Sequence, residues 1–286
     1  MLLRLENHQD AMRYLKRASE MEPDDTVVLT NLAEVYISLE KPDEAIQCCE
    51  RIQQIDPTIV DTSSSIYNIL SDAYHLKRDF ERTRHYCMKA LQTKSDDNYI
   101  ALGKMGEVYH ALKMYDRALE FYGWALEHVP NDFIENFNIA MLYIDMTEYG
   151  RAIEHLKVVL RERPDYVEAI VYLGSIYDMT GETKLAIQTC GNYLKVHPLS
   201  AVVRTRLALV YLNAQNYKEA MRHARKATEC DAKCVDAWNV LGECHFEMEQ
   251  YTKACEAFAR VKKWQPDYVF RQMTEHEVTN LLGKDH

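Results

Sequence analysis

The chain has 286 residues, 47% of them hydrophobic, and carries 34 Lys and Arg against 44 Asp and Glu, a formal net charge of -10. That balance argues against nucleic acid or an anionic membrane as the principal ligand. No apolar run reaches the roughly 18 residues that span a bilayer, and Arg4 and Glu6 fall where a signal peptide is apolar, so the expectation is a cytoplasmic protein with no direct membrane insertion. Nine glycines and seven prolines are few for this length and favour helices joined by short turns.

Prolines set the frame. Pro23 and Pro57 are 34 residues apart, Pro130, Pro164 and Pro198 follow at the same step, and Pro266 stands two steps on, with Ala232 in the skipped slot. Pro57 and Pro130 are 73 residues apart, two periods plus five, which places one degenerate unit and a short insertion between them. A period of this length maintained along the chain marks an array.

In chain order, residues 8–21, with Ala11, Leu15 and Ala18, read as the second helix of a partial first unit (1–25). Its first helix is reduced to a stub at 1–6, where Leu2, Leu3 and Leu5 lack a partner; this end reads as a fragment boundary or as a surface that docks on another chain. Seven units follow: 26–59, then 64–97 after an insertion at 60–63, then 99–132, 133–166, 167–200, 201–234 and 235–268. Apolar residues at helical spacing, such as Leu207, Val210 and Tyr211 and then Tyr217, Ala220, Met221 and Ala224, predict two helices of about 14 residues in each unit. First helices fall near 26–39, 64–77, 99–112, 133–146, 167–180, 201–214 and 235–248. Second helices fall near 42–55, 80–93, 115–128, 149–162, 183–196, 217–230 and 251–264, closed in every unit but those with Ser95 and Ala232 by a proline that cannot continue a helix. In unit 64–97, Thr83 and Ser95 replace Ala and Pro, which predicts a loosened joint.

With the proline at position 32, the other columns align. Position 11 is tyrosine from Tyr36 to Tyr211 and then His245, and position 20 is alanine from Ala45 to Ala254 except at Thr83. Position 7 is large (Leu32, Leu70, Met105, Ile139, Leu173, Leu207, Leu241), and position 8 is always small, as at Gly106, Gly174 and Gly242, which lets two helices approach closely. These columns resemble the tetratricopeptide repeat, most fully in Trp238, Leu241, Gly242, Ala254, Phe258 and Pro266. The resemblance implies an all-α fold, a right-handed superhelical solenoid of helix-turn-helix repeats. Val269, Phe270, Met273, Val278 and Leu281 resemble the helix that caps such arrays, here over 269–286.

The same resemblance implies a concave groove lined by positions 2, 5, 6, 9, 12 and 13 of the first helices. Position 9 then runs Glu34, Asp72, Glu107, Met141, Ser175, Leu209 and Glu243, acidic at both ends and apolar between. Phe137, Val171, Ile144, Leu212 and Met179 extend an apolar floor, and Asn31, Asn68, Asn138 and Asn239 offer amides to a peptide backbone. An apolar patch rimmed by charge marks a binding site, here for an extended or helical peptide with apolar anchors and basic flanks. Heat-shock co-chaperones of this family grip a terminal carboxylate with lysine, asparagine and arginine at set positions. Here Arg206 fills one place, but Val202 stands for the lysine and Tyr172 for the asparagine, so that grip is not expected.

Asp72 with His75 and Glu107 with His110 repeat an acid-x-x-His spacing, the most metal-like arrangement in the chain. A di-iron bundle needs two further inward carboxylates, so a polar, pH-responsive groove wall is the stronger expectation, with no cofactor. Cys49, Cys87, Cys190, Cys230, Cys244 and Cys255 fall in core columns, while Cys48 and Cys234 read as less buried, and all eight are expected to be reduced. No G-x-x-x-x-G-K-S/T loop, G-x-S-x-G elbow or H-E-x-x-H helix occurs, so no enzyme is expected. The leading expectation is a non-enzymatic scaffold or adaptor. The alternatives are a homotypic assembly built through the start of the chain and the docking part of a longer enzyme.

Overall fold

A computed structural model of the protein describes residues 2–58, 64–93 and 98–268. Among these there are fifteen helices and no strand: α1 (Leu2–Met21), α2 (Thr26–Ser38), α3 (Pro42–Ile55), α4 (Ser64–Leu76), α5 (Phe80–Gln92), α6 (Asn98–Ala111), α7 (Tyr115–His128), α8 (Phe133–Asp145), α9 (Tyr149–Glu162), α10 (Val167–Met179), α11 (Thr183–Val196), α12 (Ala201–Asn213), α13 (Tyr217–Cys230), α14 (Val235–Glu247) and α15 (Tyr251–Trp264). From α2 onward every helix end lies within one residue of its predicted position. The insertion at 60–63 and the expected cap over 269–286 lie outside the described residues.

At the start, α1 is one continuous helix rather than a stub and a separate segment. No glycine or proline interrupts Leu2–Met21, so nothing breaks the backbone ladder there. Met12 and Leu15 pack on the core of the following hairpin.

Each hairpin turns by the same device. Position 15 has positive φ at Glu40, Arg78, Lys113, Thr147, Gln215 and Glu249 as well as at Gly181. At all of these but Thr147 the next residue's N–H is seen to donate to the carbonyl of position 11, as from Lys41 to Tyr36, Asp79 to Tyr74 and Met114 to Tyr109. This closes the first helix with a Schellman motif and turns the chain into the second. Short acceptor side chains cap several helix starts: Asp25 accepts from the N–H of Val27 and Val28, and Asp132 from Ile134 and Glu135.

Small residues at position 8 bring the two helices of a hairpin together. A Cβ added at Gly106 would lie 2.5 Å from the Tyr122 ring, and one at Gly242 would lie 2.4 Å from Phe258. The rings of Tyr122 and Phe258 are consequently fully buried.

The chain divides into two compact units, residues 1–146 and 147–286. The first has one core running from Leu29 and Ile52 through Ile66 and Leu70 to Met105 and Leu142. The hairpin of the degenerate unit is packed into it, and Thr83 takes the alanine slot fully buried, its hydroxyl donating 2.9 Å to the Asp79 carbonyl; the joints expected to be loosened, at 60–63 and around Ser95, lie outside the described residues. The second unit has smaller clusters around Leu207, Leu241 and Phe258.

Cysteine burial departs from expectation at two places. Cys48 is buried, and Cys230, the last residue of α13, is exposed because its column has already left the hairpin interface. Burial pushes the thiols of Cys49, Cys87, Cys190 and Cys244 up to about 12, which keeps them protonated and unreactive.

Candidate functional site

In the first unit, α2, α4, α6 and α8 each contact the next, so groove positions of successive helices meet. Lys104 Nζ sits between Asp72 Oδ1 at 3.0 Å and Glu107 Oε2 at 2.6 Å. His75 Nε2 lies 3.6 Å from that same Glu107 oxygen, and His110 Nε2 lies 2.9 Å from Asp145 Oδ2 on α8. The four residues of the acid-x-x-His pairs thus share one wall, and Lys104 joins two of them.

Burial alone would lower the pKa of the Lys104 ammonium, but Glu107 and Asp72 more than offset it and hold it above the ordinary lysine range. A cation therefore already occupies the seat between the two carboxylates that a metal would need. Among the described residues no group of three or more His, Cys, Asp or Glu side chains is arranged to hold a metal ion. Burial, and then Lys104, hold His75 below the ordinary histidine range against the pull of Glu107 and Asp72. Its Nδ1 is buried without a hydrogen-bond partner.

Next to this wall lies Glu135, 7% exposed on α8. Its carboxyl occupies space that Gly103 leaves open: a Cβ on Gly103 would lie 2.1 Å from Glu135 Oε1. Burial first, then the charge of Glu107, pushes Glu135 from 4.5 up to about 7, with Asn138 and Lys104 pulling the other way. Asn138 Nδ2 donates to it at 3.5 Å. Beneath, burial and then Glu107 and Glu135 raise the Tyr122 phenol. A hollow of about 310 Å³ opens over the wall, lined by His75, Glu107, His110, Tyr122, Asn138 and Asp145 among others.

The remaining candidates of this unit divide by depth. Asn31 and Glu34 are exposed on α2, and Phe137, Met141 and Ile144 are half-buried on α8. Asn68 is buried with no partner for its Oδ1, so it is not open to a ligand as expected. The sequence reading passed over Lys104, Glu135 and Asp145. The available signal was Gly103, the smallest residue in a column that elsewhere carries Phe137 or Asn68. It also passed over an exposed apolar row at position 2, Val27, Ile100 and Ile134.

The second unit corrects the expected apolar floor. Leu209 is 9% exposed, sealed in a core with Leu212, Val240 and Cys244, because the following hairpin packs directly over it. Glu243 is 4% exposed and accepts from Asn239 Nδ2 at 2.5 Å, so neither faces an open groove. Tyr172, Met179 and Val202 are exposed. The charge also divides: residues 1–146 hold fifteen Lys and Arg against twenty-five Asp and Glu, and residues 147–286 hold nineteen of each, so the whole excess lies in the first unit.

Helical hairpins of one length, closed by one turn and packed through one small-residue column, define a helical-repeat protein. Tetratricopeptide repeat sequence models match residues 2–61 and 137–201, and the model of anaphase-promoting complex, cyclosome, subunit 3 matches 179–261. The chain belongs to the tetratricopeptide repeat proteins.

Among curated proteins it is similar to the Hsp70-Hsp90 organizing protein of Triticum aestivum, 24% identical over 260 residues, 91% of this chain and 38% of that protein. It is also similar to human protein O-mannosyl-transferase TMTC3, 20% identical over 98% of this chain and 32% of that protein. A third relative is the Drosophila melanogaster homolog of BBSome complex member BBS4, 20% identical over 88% of this chain and 54% of that protein. The chain thus spans about a third to a half of the length of these relatives. Among solved structures, yeast Tom70 matches with a TM-score of 0.66 at 15% identity, over 98% of this chain and 58% of that one. The APC/C hetero-tetramer Cut9-Hcn1 matches with a TM-score of 0.64 at 12% identity, over 99% of this chain and 54% of that one. These likenesses establish the fold. No helix among the described residues is long and apolar enough to cross a membrane.

Proposed function

We propose that the chain is a non-enzymatic protein-interaction scaffold within a larger assembly, holding a peptide or helix of a partner along the face of α2, α4, α6 and α8. The observation that carries the reading is the half-open hollow where His75, Glu107, His110, Asn138 and Asp145 converge, in a unit that holds the entire acidic excess. Lys104 between Asp72 and Glu107 supplies an internal example of the chemistry, a basic side chain held by two groove carboxylates. The partner is accordingly basic, with Glu34 and Asp145 as the carboxylates most open to it and Val27, Ile100 and Ile134 as apolar contacts. Membership of an assembly is supported by relatives named as parts of the BBSome and of the anaphase-promoting complex. A grip on a terminal carboxylate is not part of the proposal, because Val202 and Tyr172 stand where its lysine and asparagine would be.

Affinity capture with cross-linking mass spectrometry tests the reading. Captured peptides should cross-link to α4, α6 and α8, and Glu34→Arg with Asp145→Arg should abolish capture while leaving the helical circular dichroism intact. Cross-links confined to the second helices, or capture unchanged in that variant, would remove this face from the account.

A further inference from the structure

The second unit carries a hollow of about 690 Å³ of different character, on the side of the second helices α13 and α15. Its floor is apolar, made by Trp238, Leu241 and Ala257, and the small side chains of Ala257 and Ala259 on α15 leave it open. Arg225 on α13 and Lys253 and Arg260 on α15 stand around it. Among the described residues none of the three is in an ion pair; the Arg260 guanidinium lies 5.3 Å from the Trp238 ring centroid. Two carboxylates, Glu229 and Glu256, share the lining, so cations outnumber anions.

The surrounding repeat strengthens the sign. Residues 201–234 hold seven Lys and Arg against three Asp and Glu, in a chain whose net charge is -10. His245 at the hollow's edge responds to that field: burial, and then Arg225 and Lys253, hold it below the ordinary histidine range despite the hydrogen bond that its Nδ1 donates to Gln250 Oε1. An imidazole kept neutral leaves the three fixed cations as the positive charge available to a ligand.

We propose that this hollow between α13 and α15 is a second binding site, which takes an acidic segment of a partner protein, carboxylates against Arg225, Lys253 and Arg260 and an apolar side chain against Trp238. Guanidinium and ammonium groups that form no ion pair among the described residues, around an apolar floor, match carboxylates flanking an apolar residue. A cation stacked on an indole is already oriented, which reduces the ordering cost of recognition. The site is independent of the acidic wall in the first unit, and its sign is opposite. One chain would then hold a basic segment on one unit and an acidic segment on the other.

Isothermal titration calorimetry on the full chain tests this with the peptide acetyl-Glu-Glu-Leu-Phe-Glu-Glu-amide and its all-lysine counterpart acetyl-Lys-Lys-Leu-Phe-Lys-Lys-amide. The acidic peptide should bind in the range of roughly 10 to 300 μM and weaken several-fold between about 50 and 300 mM salt. Arg225→Glu with Lys253→Glu, both at exposed positions, should weaken it by about tenfold or more. Ala259→Trp, which fills the hollow without changing charge, should abolish binding as well. Equal binding of the lysine peptide, or full binding by the Ala259→Trp variant, would reduce the site to diffuse charge attraction and overturn the proposal. So would an absence of binding at about 1 mM peptide. Sedimentation that shows self-association of the chain, lost in the Arg225→Glu and Lys253→Glu variant, would overturn it in favour of a second copy as occupant.

Discussion

Glu135→Gln should make the first unit more stable at neutral pH and leave it nearly unchanged in acid. In the folded chain the Glu135 carboxyl is raised from 4.5 to about 7 by burial and by Glu107, so the native state holds its proton where the unfolded state has lost it. The linkage sign follows: the favourable contribution is full below about 4.5, declines as pH rises, and is lost once pH passes about 7. A displacement of this size corresponds to about 3 kcal/mol of native-state penalty above pH 7, at about 1.4 kcal/mol per unit. Glutamine keeps the shape that fits over Gly103 but carries no charge, so the variant does not incur that penalty.

The assay is urea unfolding of wild type and variant between pH 5 and pH 8. Repeat arrays can unfold in parts, so the transition is read from Trp124 on α7, with Trp238→Phe and Trp264→Phe in both proteins. The stability difference in favour of glutamine should widen by roughly 2 to 3 kcal/mol across this range, most of it below pH 7. Two curves that stay parallel across the range would show that Glu135 is ionised in both states, and the argument from burial against Gly103 would be wrong.

Glycine contacts separate two kinds of position. Gly106→Ala drives a methyl to 2.5 Å from the Tyr122 ring and should cost about 1 to 3 kcal/mol, whereas Gly123→Ala meets nothing within 4 Å inside α7 and should gain about 0.5 to 1 kcal/mol in thermal or urea unfolding. At the hairpin turns the order reverses: Gln215→Gly should stabilise by up to about 1 kcal/mol by relieving a positive φ of 57°, and Gly181→Ala, at φ 82°, should destabilise by about 1 kcal/mol or more. Lys104→Met strips the cation from between Asp72 and Glu107 and should lower the urea midpoint at pH 7 by an amount equivalent to about 2 to 4 kcal/mol. Lys104→Arg, which keeps the cation, should recover part of that loss; a loss of the same size in both variants would mean that only the lysine's packing mattered.

The helices were legible because their signals are local and repeated. A tyrosine at position 11 and an alanine at position 20 recur in register, and the small residue at position 8 does pass a ring or thiol of the second helix, as Gly106 passes Tyr122. The turn was not legible, although it is equally regular. Its left-handed residue is Glu40, Arg78, Lys113, Thr147, Gln215 or Glu249, and only Gly181 carries the side-chain signature of that backbone. Hydrogen bonding from the following N–H to position 11 enforces the conformation, and that is a property of the hairpin rather than of the residue.

The candidate site was legible as a face and not as a depth. Helical spacing assigns Asp72, Glu107, Leu209 and Glu243 to one column, because position along a helix fixes direction. Exposure at the end of that direction depends on the neighbouring repeat. Over Leu209 stand Val240 and Cys244, apolar side chains that seal it, while between Asp72 and Glu107 stands Lys104, which leaves both carboxylates partly open and supplies a charge to hold them. Glu135 carries the argument furthest. Its column is a buried one, occupied by Ile66, Ala101, Ala169, Val203 and Ala237 in other units; what makes room there for a carboxyl is the absence of a side chain at Gly103, one helix away and thirty-two residues earlier in the chain. In an array, then, a residue's chemistry is written jointly by its own column and by the size of the residue one repeat before it. A glycine in a groove position predicts a buried, perturbed group on the next first helix.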